Sequence, residues 1–188
     1  MNEYQSWVEK MKAILYEGSD QNFWQQLDIS LHSHERNIQS EMLIALNSSL
    51  QIDLFECKKE DKKNTIDYII RIISLAEQKT PEDPLPSLFL SEFIFYECDD
   101  VNTACQHAVL AAKKATQAKT MVRQTTGNLI RILIKLKRFE DVYQLLQKLI
   151  DYKPAANGME ISLETDFLKN IPENEYNKEI INEYKNKI

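Results

Sequence analysis

Apolar residues recur every three or four positions along most of this chain, and the pattern is clearest over residues 123–154. In the first half of this stretch the apolar residues fall on one side of a helix: Leu129, Ile130, Leu133 and Leu136. The pattern breaks at Lys137-Arg138, and a second apolar stripe begins at Phe139. Pro154 lacks an amide proton and disfavours helix at the residue before it, so the second helix ends there. A linker this short predicts two antiparallel, neighbouring helices.

This hairpin resembles a tetratricopeptide repeat, a unit of about 34 residues that forms a helix, a turn and a second helix. With Pro154 as the closing proline, the repeat begins at Arg123, and Phe139 takes the aromatic position that opens the second helix. Ile130 and Val142 are bulkier than the residues usual at their positions. The resemblance therefore implies that these two helices sit further apart than in a standard repeat.

The same template fits residues 85–118 in part. Three alanines fall at small or apolar positions of its second helix: Ala104, Ala108 and Ala111. Asp99-Asp100 supplies the turn and a helix N-cap. Glu92 falls where the repeat has a small residue, and a carboxylate there would be costly unless it were paired. Either the alignment is off by one residue or Glu92 meets a cation such as Lys113 or Arg131. We favour the shift in alignment.

Apolar periodicity also predicts the remaining helices, over residues 2–17, 20–32, 35–57, 65–78 and 174–187. Gly18 is expected to take a left-handed cap, with Ser19 or Asp20 starting the next helix. The connecting segments are expected to be an exposed loop over 58–64, a non-helical proline-rich segment over 80–86, a turn over 155–161 and a short helical turn over 163–170.

The chain is therefore predicted to be all-α, with about 8–9 helices packed as antiparallel hairpins. The resemblance implies that the hairpins stack as a short right-handed superhelix. We expect a single domain across residues 1–188. Its three parts are N-terminal helices over 1–79, two repeat-like hairpins over 85–154, and a C-terminal segment over 155–188 whose last helix caps the core.

Charge is distributed unevenly, although the net charge is only −6. Residues 1–102 carry 9 basic and 19 acidic side chains, whereas residues 103–153 carry 10 basic and 3 acidic ones. The basic block has no interleaved aromatics for stacking on bases, and the rest of the chain would repel phosphate, so we expect no nucleic-acid partner. The block is either an ordinary solvated surface or a surface for an acidic partner or for the chain's own acidic half.

The sequence lacks the common patterns of catalysis and metal binding. His32 and His34 are two residues apart and would point in different directions on a helix. The three cysteines, Cys57, Cys98 and Cys105, form no CxxC pair and are best explained as small buried residues. No GxSxG motif and no glycine-rich phosphate loop occurs. We therefore predict a non-enzymatic protein with no catalytic residue, no metal and no cofactor.

The longest apolar runs are interrupted by charged or amide residues before they reach the length of a membrane span. The first residues, MNEYQSWVEK, lack a basic and then apolar signal segment. We expect a cytoplasmic protein with no membrane partner.

The resemblance also implies a binding surface, because the first helix of each tetratricopeptide repeat lines a concave groove. The matching positions are Phe89, Phe93, Tyr96 and Glu97 in the first hairpin, and Gln124, Arg131, Ile134 and Lys135 in the second. This groove would suit a protein or peptide with apolar anchors and a carboxylate. Phe89 and Phe93 stand where some family members carry polar residues that clamp a terminal carboxylate, so such a clamp is not expected.

Other interpretations stay open. The groove aromatics could be covered by the N-terminal helices or by a second copy of the chain in a homo-oligomer. The protein could instead be a small acidic inhibitor of the immunity kind, covering a basic toxin or enzyme surface with its acidic N-terminal half. It could also be an enzyme of unrecognised type, for which a deep pocket with several titratable side chains would be the sign.

Overall fold

The computed structural model describes residues 3–56, 62–153, 166–172 and 175–187. Its elements are α1 (Glu3–Glu17), α2 (Asp20–Leu31), α3 (Arg36–Glu56), α4 (Lys62–Lys79), α5 (Pro84–Glu97), α6 (Val101–Ala118), α7 (Val122–Lys135), α8 (Phe139–Asp151), a 3-10 helix (Asp166–Asn170) and α9 (Glu175–Lys187). These described residues contain no strand, which confirms the all-α prediction and the expected number of helices. The superhelical stacking of the hairpins stays a prediction.

The chain forms two compact units, Met1–Pro81 and Glu82–Ile188, and the boundary lies in the proline-rich segment. In the first unit α1 packs against α2 and α3, and α3 packs against α4. Its fully buried side chains recur at helical spacing and include Phe23, Leu27, Leu46, Leu50, Ile69 and Ile73. An edge-to-face contact between the rings of Phe23 and Tyr68, with centroids 5.5 Å apart, joins α2 to α4. That the two units act as one domain stays a prediction.

In the second unit each α-helix packs against the next from α5 to α9, and α5 also contacts α7. Small side chains occupy the contact between α5 and α6. Four fully buried alanines lie on one side of α6: Ala104, Ala108, Ala111 and Ala115. On α5 the hydroxyl of Ser91 donates to the carbonyl oxygen of Ala104 at 3.0 Å. Side chains this small let the backbones of the two helices come close enough for a hydroxyl to reach the opposite main chain.

The prediction of a left-handed Gly18 is wrong, because no glycine in the described part of the chain has a positive φ. The reason for glycine at this position is steric. A Cβ atom at this position would lie 2.5 Å from the carbonyl oxygen of Ile14, well inside van der Waals contact. Ser19 then caps α2, its hydroxyl accepting a hydrogen bond from the N–H of Asn22 at 3.3 Å. The turn therefore depends on the lack of a side chain rather than on backbone freedom.

Two segments that were expected to be non-helical contain helix starts. α4 begins at Lys62, inside the predicted loop over 58–64, and α5 begins at Pro84. The carboxylate of Asp83 caps α5 by accepting the N–H of Leu85 at 2.9 Å. Proline is tolerated in a first helical turn because the N–H that it lacks would have no partner within the helix.

The remaining connections agree with the sequence where the structure describes them. Asp99 has a φ of 54°, and Asp100 caps α6 by accepting the N–H of Thr103 at 3.0 Å. Residues 166–170 form the expected short helical turn. The predicted turn over 155–161 and the part of the loop at 58–61 lie outside the described residues. None of the described helices is both long enough and apolar enough to cross a membrane.

Candidate interaction face

Helix α5 is buried around most of its circumference. Its buried residues include Ser87, Leu90, Ser91, Phe93 and Ile94, which together cover well over half of the helix surface. The main gap is a strip at spacings of four, three and four residues, formed by Leu85, Phe89, Glu92 and Tyr96. The first three are partly exposed, and Tyr96 is 58% exposed. This strip is the part of α5 that another molecule could reach.

Helix α7 has a similar gap. Its residues from Thr125 to Ile130 are all buried, and so are Ile132 and Leu133. Gln124 and Arg131 are partly exposed and Lys135 is exposed, and their spacings of seven and four residues place them on one side of the helix. The polar strip of α7 therefore complements the more apolar strip of α5.

One hydrogen bond joins the two strips. The Nη1 atom of Arg131 donates to the hydroxyl oxygen of Tyr96 at 3.0 Å. Because these side chains come from α5 and α7, the first helices of the two hairpins, the bond places both strips on the same side of the second unit. The combined surface is here named the open face, and it consists of Leu85, Phe89, Glu92, Tyr96, Gln124, Arg131 and Lys135.

Glu92 is the acidic member of the open face. Burial raises the pKa of its carboxyl above the usual range, and the positive charge of Arg131 opposes part of that rise. Glu92 therefore does lie near a cation, as one of the two alternatives had it. The favoured alternative also has support, since the small residue at the contact with α6 is Ser91, one position earlier. The shift by one turns Glu92 toward the open face.

The residues predicted for a groove are only partly brought together. Tyr96, Arg131 and Lys135 lie on the open face with Phe89 and Gln124. The expectation of an accessible Phe93 ring is wrong, because Phe93 is only 4% exposed and belongs to the core. Glu97 and Ile134 are partly exposed but lie off the two strips.

Sequence reasoning missed Leu85 and Glu92 as members of this surface. A signal for them was present, because Leu85, Phe89, Glu92 and Tyr96 recur at spacings of four, three and four residues. This spacing is hard to recognise in the sequence, because the buried face of α5 is nearly continuous and carries most of its apolar residues. Which side of α5 is exposed depends on the helices that pack against it, and the sequence pattern of α5 does not contain that information.

A buried polar chain holds α5, α6 and α7 together beneath the open face. The Nδ2 atom of Asn128 donates to the hydroxyl oxygen of Ser91 at 2.9 Å, and that hydroxyl donates to the carbonyl oxygen of Ala104. Asn128 and Ser91 are 3% and 0% exposed. A neighbouring buried pair, from the Nζ atom of Lys114 to the hydroxyl of Ser87 at 2.8 Å, joins α5 to α6. These bonds are directional, so they fix how the helices are rotated against one another.

The other candidate residues form no evident reactive cluster. His32 and His34 are both exposed, and burial raises the pKa of the Cys105 thiol, which keeps it protonated. Cys98 is partly exposed, and Cys57 lies outside the described residues. In the described part of the chain, no three histidine, cysteine, aspartate or glutamate side chains are grouped so as to hold a metal ion. The absence of a metal, a cofactor and a catalytic residue stays a prediction.

No protein-family model matches the chain, and no significant match is found among curated proteins. The tetratricopeptide resemblance therefore stays a prediction.

Proposed function

We propose that the protein is a non-enzymatic interaction module, of the tetratricopeptide-like kind, whose open face binds a segment of another protein. The observation that carries the proposal is the pair formed by Tyr96 and Arg131, which joins the exposed strips of α5 and α7. Tyrosine and arginine are the residue types that, with tryptophan, contribute most of the binding energy in protein interfaces. A cytoplasmic location is part of the same proposal.

The shape and chemistry of the open face favour a particular kind of partner. Leu85, Phe89 and the ring of Tyr96 offer apolar contact along α5, while Arg131 and Lys135 offer positive charge along α7. Glu92 brings one negative charge, which Arg131 partly offsets. The fitting partner is a peptide segment that places an aromatic or aliphatic side chain beside an acidic one. The basic composition of residues 103–153 supports the same choice.

A peptide selection on the full chain tests this proposal. Peptides from a random library that bind the wild-type protein should be enriched in acidic residues next to aromatic or aliphatic ones. Their affinity for the Arg131→Glu/Lys135→Glu variant, measured by fluorescence anisotropy, should fall by about tenfold or more, since two attractive charges become repulsive. Tyr96→Ala should weaken binding by a similar factor because it removes a large exposed anchor.

The matched control is Lys10→Glu/Lys63→Glu, which reverses two exposed lysines on α1 and α4 in the first unit. It changes net charge by the same amount as the double variant on α7 but leaves the open face intact. Equal loss of binding in both double variants would show a general charge effect. Undiminished binding by a folded Arg131→Glu/Lys135→Glu protein would overturn the proposal.

A second candidate function draws on the surface of the first unit, where the exposed charge is mainly acidic. Among the residues of this unit whose exposure the structure describes, the exposed acidic ones are Glu9, Glu17, Asp20, Asp28, Glu35, Glu41 and Asp67, and the exposed basic ones are Lys10, Arg36, Lys63 and Arg71. An acidic inhibitor that covers a basic toxin or enzyme surface would use such a face. A toxin-like reading frame beside the gene would favour this candidate over the first, and the complex should weaken steeply with salt. A complex that salt leaves unchanged would exclude it.

A further inference from the structure

Helices α5 and α7 run in the same direction beneath the open face. Asn128 of α7 donates to Ser91 of α5, and further along Arg131 of α7 donates to Tyr96 of α5. From the first pair to the second, the chain advances along both helices. This agrees with the short connections on either side of α6, which make α6 antiparallel to both. The open face therefore lies over two parallel helices that contact each other.

The two strips that form the open face match in length. The strip on α5 extends from Leu85 to Tyr96, and the strip on α7 extends from Gln124 to Lys135. Each covers about three turns of helix, or about 16 Å. A helix of about eleven residues has the same length and fits along both strips. An extended peptide would cover this distance with about five residues.

The hydrogen-bonding needs of a bound main chain favour the helix. The described residues contain no strand and therefore no sheet edge, so the sides of α5 and α7 present side chains rather than free main-chain groups. An extended peptide needs outside partners for its N–H and C=O groups, and burying one without a partner costs free energy. The side chains of Leu85 and Phe89 cannot bond to such groups. A helix pairs them internally, so it can lie against apolar side chains without this cost.

The strip on α5 has the spacing at which helices pack side by side. Its residues follow one another after four, three and four positions, as in the seam between two paired helices. Three of its four members offer apolar surface: Leu85, Phe89 and the ring of Tyr96. The rest of α5 already packs against α6 and α7, so the strip can serve as one more seam of the same kind.

Charge distinguishes the two ends of the open face. Leu85 and Phe89 lie toward one end, and Lys135 lies at the other, one turn beyond Arg131. Arg131 already has an opposite charge nearby, that of Glu92. Lys135 is the more exposed of the two cations, so a carboxylate on the partner is best placed beside Lys135.

We infer that the open face binds an amphipathic helix of a partner protein. Apolar residues of that helix recur every three or four positions over about eleven residues and contact Leu85, Phe89 and Tyr96. An acidic residue near one end of the helix meets Lys135. The inference rests on the function proposed above, and it adds the conformation of the bound segment and the end at which its acidic residue lies.

Proline substitution in a bound peptide tests the helical conformation. The probe is the tightest binder selected from the random library on the full chain. Proline is placed in turn at three consecutive central positions, with alanine at each as the control. Every proline should weaken binding at least about thirtyfold, because proline disrupts a helix interior at any position. An extended peptide would tolerate proline in at least one place, since alternate residues point away from the protein. Such tolerance would overturn this inference and leave the proposed function intact.

Variants of the protein test where the peptide lies. Phe89→Ala should weaken binding about tenfold, whereas Phe55→Ala, at a ring that is 76% exposed in the first unit, should leave it unchanged. Lys135→Ala should weaken binding about threefold, and this effect should vanish once the acidic residue of the peptide is replaced by its amide. Tyr96→Ala, at a more exposed ring, repeats the test if Phe89→Ala does not fold. A binder that is insensitive to the folded variant would overturn the inference.

The remaining outcomes decide between other occupants of the open face. If no library peptide binds, the proposed function fails and this inference fails with it. If sedimentation shows a dimer of the chain that Phe89→Ala dissociates, the open face belongs to a second copy, and the inference is overturned. Helical Cα chemical shifts over about three turns of an isotope-labelled bound peptide are the result that we expect.

Discussion

Replacing Ser91 with alanine tests whether the buried polar chain seats α7 against α5. The hydroxyl of Ser91 accepts a hydrogen bond from Asn128 at 2.9 Å and donates one to the carbonyl oxygen of Ala104 at 3.0 Å. Alanine removes both bonds and little volume. The variant therefore isolates the polar contribution at the contact of α5, α6 and α7.

The expected cost follows from the partners that are left behind. Each lost bond contributes about 1 kcal/mol net, and an unsatisfied buried donor adds a penalty of about 1–3 kcal/mol. The Oδ1 atom of Asn128 already has no partner among the described residues, so the substitution leaves the whole buried amide unpaired. Losing its bond to Ser91 costs less free energy at the carbonyl oxygen of Ala104, because this oxygen lies within α6 and can accept a hydrogen bond from its own helix. We expect Ser91→Ala to lower the free energy of unfolding by about 2–3 kcal/mol.

A double-mutant cycle with Asn128→Leu gives the sharper test. Leucine has a similar volume and no amide to satisfy, so Asn128→Leu alone should change the free energy of unfolding by less than about 1 kcal/mol. In that background Ser91→Ala should cost about 1–2 kcal/mol less than it does in the wild type, since no buried donor is left stranded. Ser48→Ala is the control, because Ser48 is exposed and donates only to Ile44 of its own helix.

Urea unfolding followed by far-UV circular dichroism measures these differences. With a denaturant slope of about 2–3 kcal/mol per molar urea, Ser91→Ala should lower the midpoint by roughly 1 M. Trp7 and Trp24 are the two tryptophans of the chain and both lie in the first unit, so their fluorescence reports that unit separately. A loss below about 0.5 kcal/mol, or strict additivity of the two substitutions, would refute the reasoning.

Two further predictions concern other sites. Gly18→Ala should lower the free energy of unfolding by about 1–3 kcal/mol, because its Cβ would lie 2.5 Å from the Ile14 carbonyl oxygen. Gly18→Asn should be no more stable than Gly18→Ala. If a positive φ were the reason for glycine, asparagine would restore part of the stability. Glu92→Gln should raise the stability at pH 7, because burial raises the pKa of this carboxyl and so its charged form disfavours the folded state. That gain should shrink as the pH falls and disappear below the pKa of the unfolded chain, near 4. Thermal unfolding at pH 7 and pH 3.5 checks the sign, and an equal gain at both values would contradict it.

Much of the secondary structure could be predicted from the sequence. The break at Lys137-Arg138 and the start of α8 at Phe139 fall where the apolar stripes indicated. The stripes succeed because the side-chain positions on a helix repeat every 3.6 residues, whatever the helix packs against. The starts of α4 and α5 were placed too late, since lysine-rich and proline-rich segments favour loops unless a cap such as Asp83 supports a helix.

The candidate surface was less predictable. Phe93 and Glu92 are adjacent, and Phe93 was predicted to line the groove. In the folded chain Phe93 is buried, and Glu92 faces Arg131 instead. A shift of one residue rotates a helix position by about 100°, which is enough to exchange a core side chain for a surface one. Local spacing does not fix that rotation for a helix that is apolar on most of its sides.

The sequence alone determined that this chain is helical, where most of its helices lie and which residues repeat along one side of each helix, because these properties follow from spacing over one or two turns. Only the tertiary structure decided which side of α5 stays open and that Arg131 reaches Tyr96. Both depend on packing between different helices, and Arg131 and Tyr96 are 35 positions apart in the sequence. Their contacts arise from how the helices pack, and no local pattern encodes them.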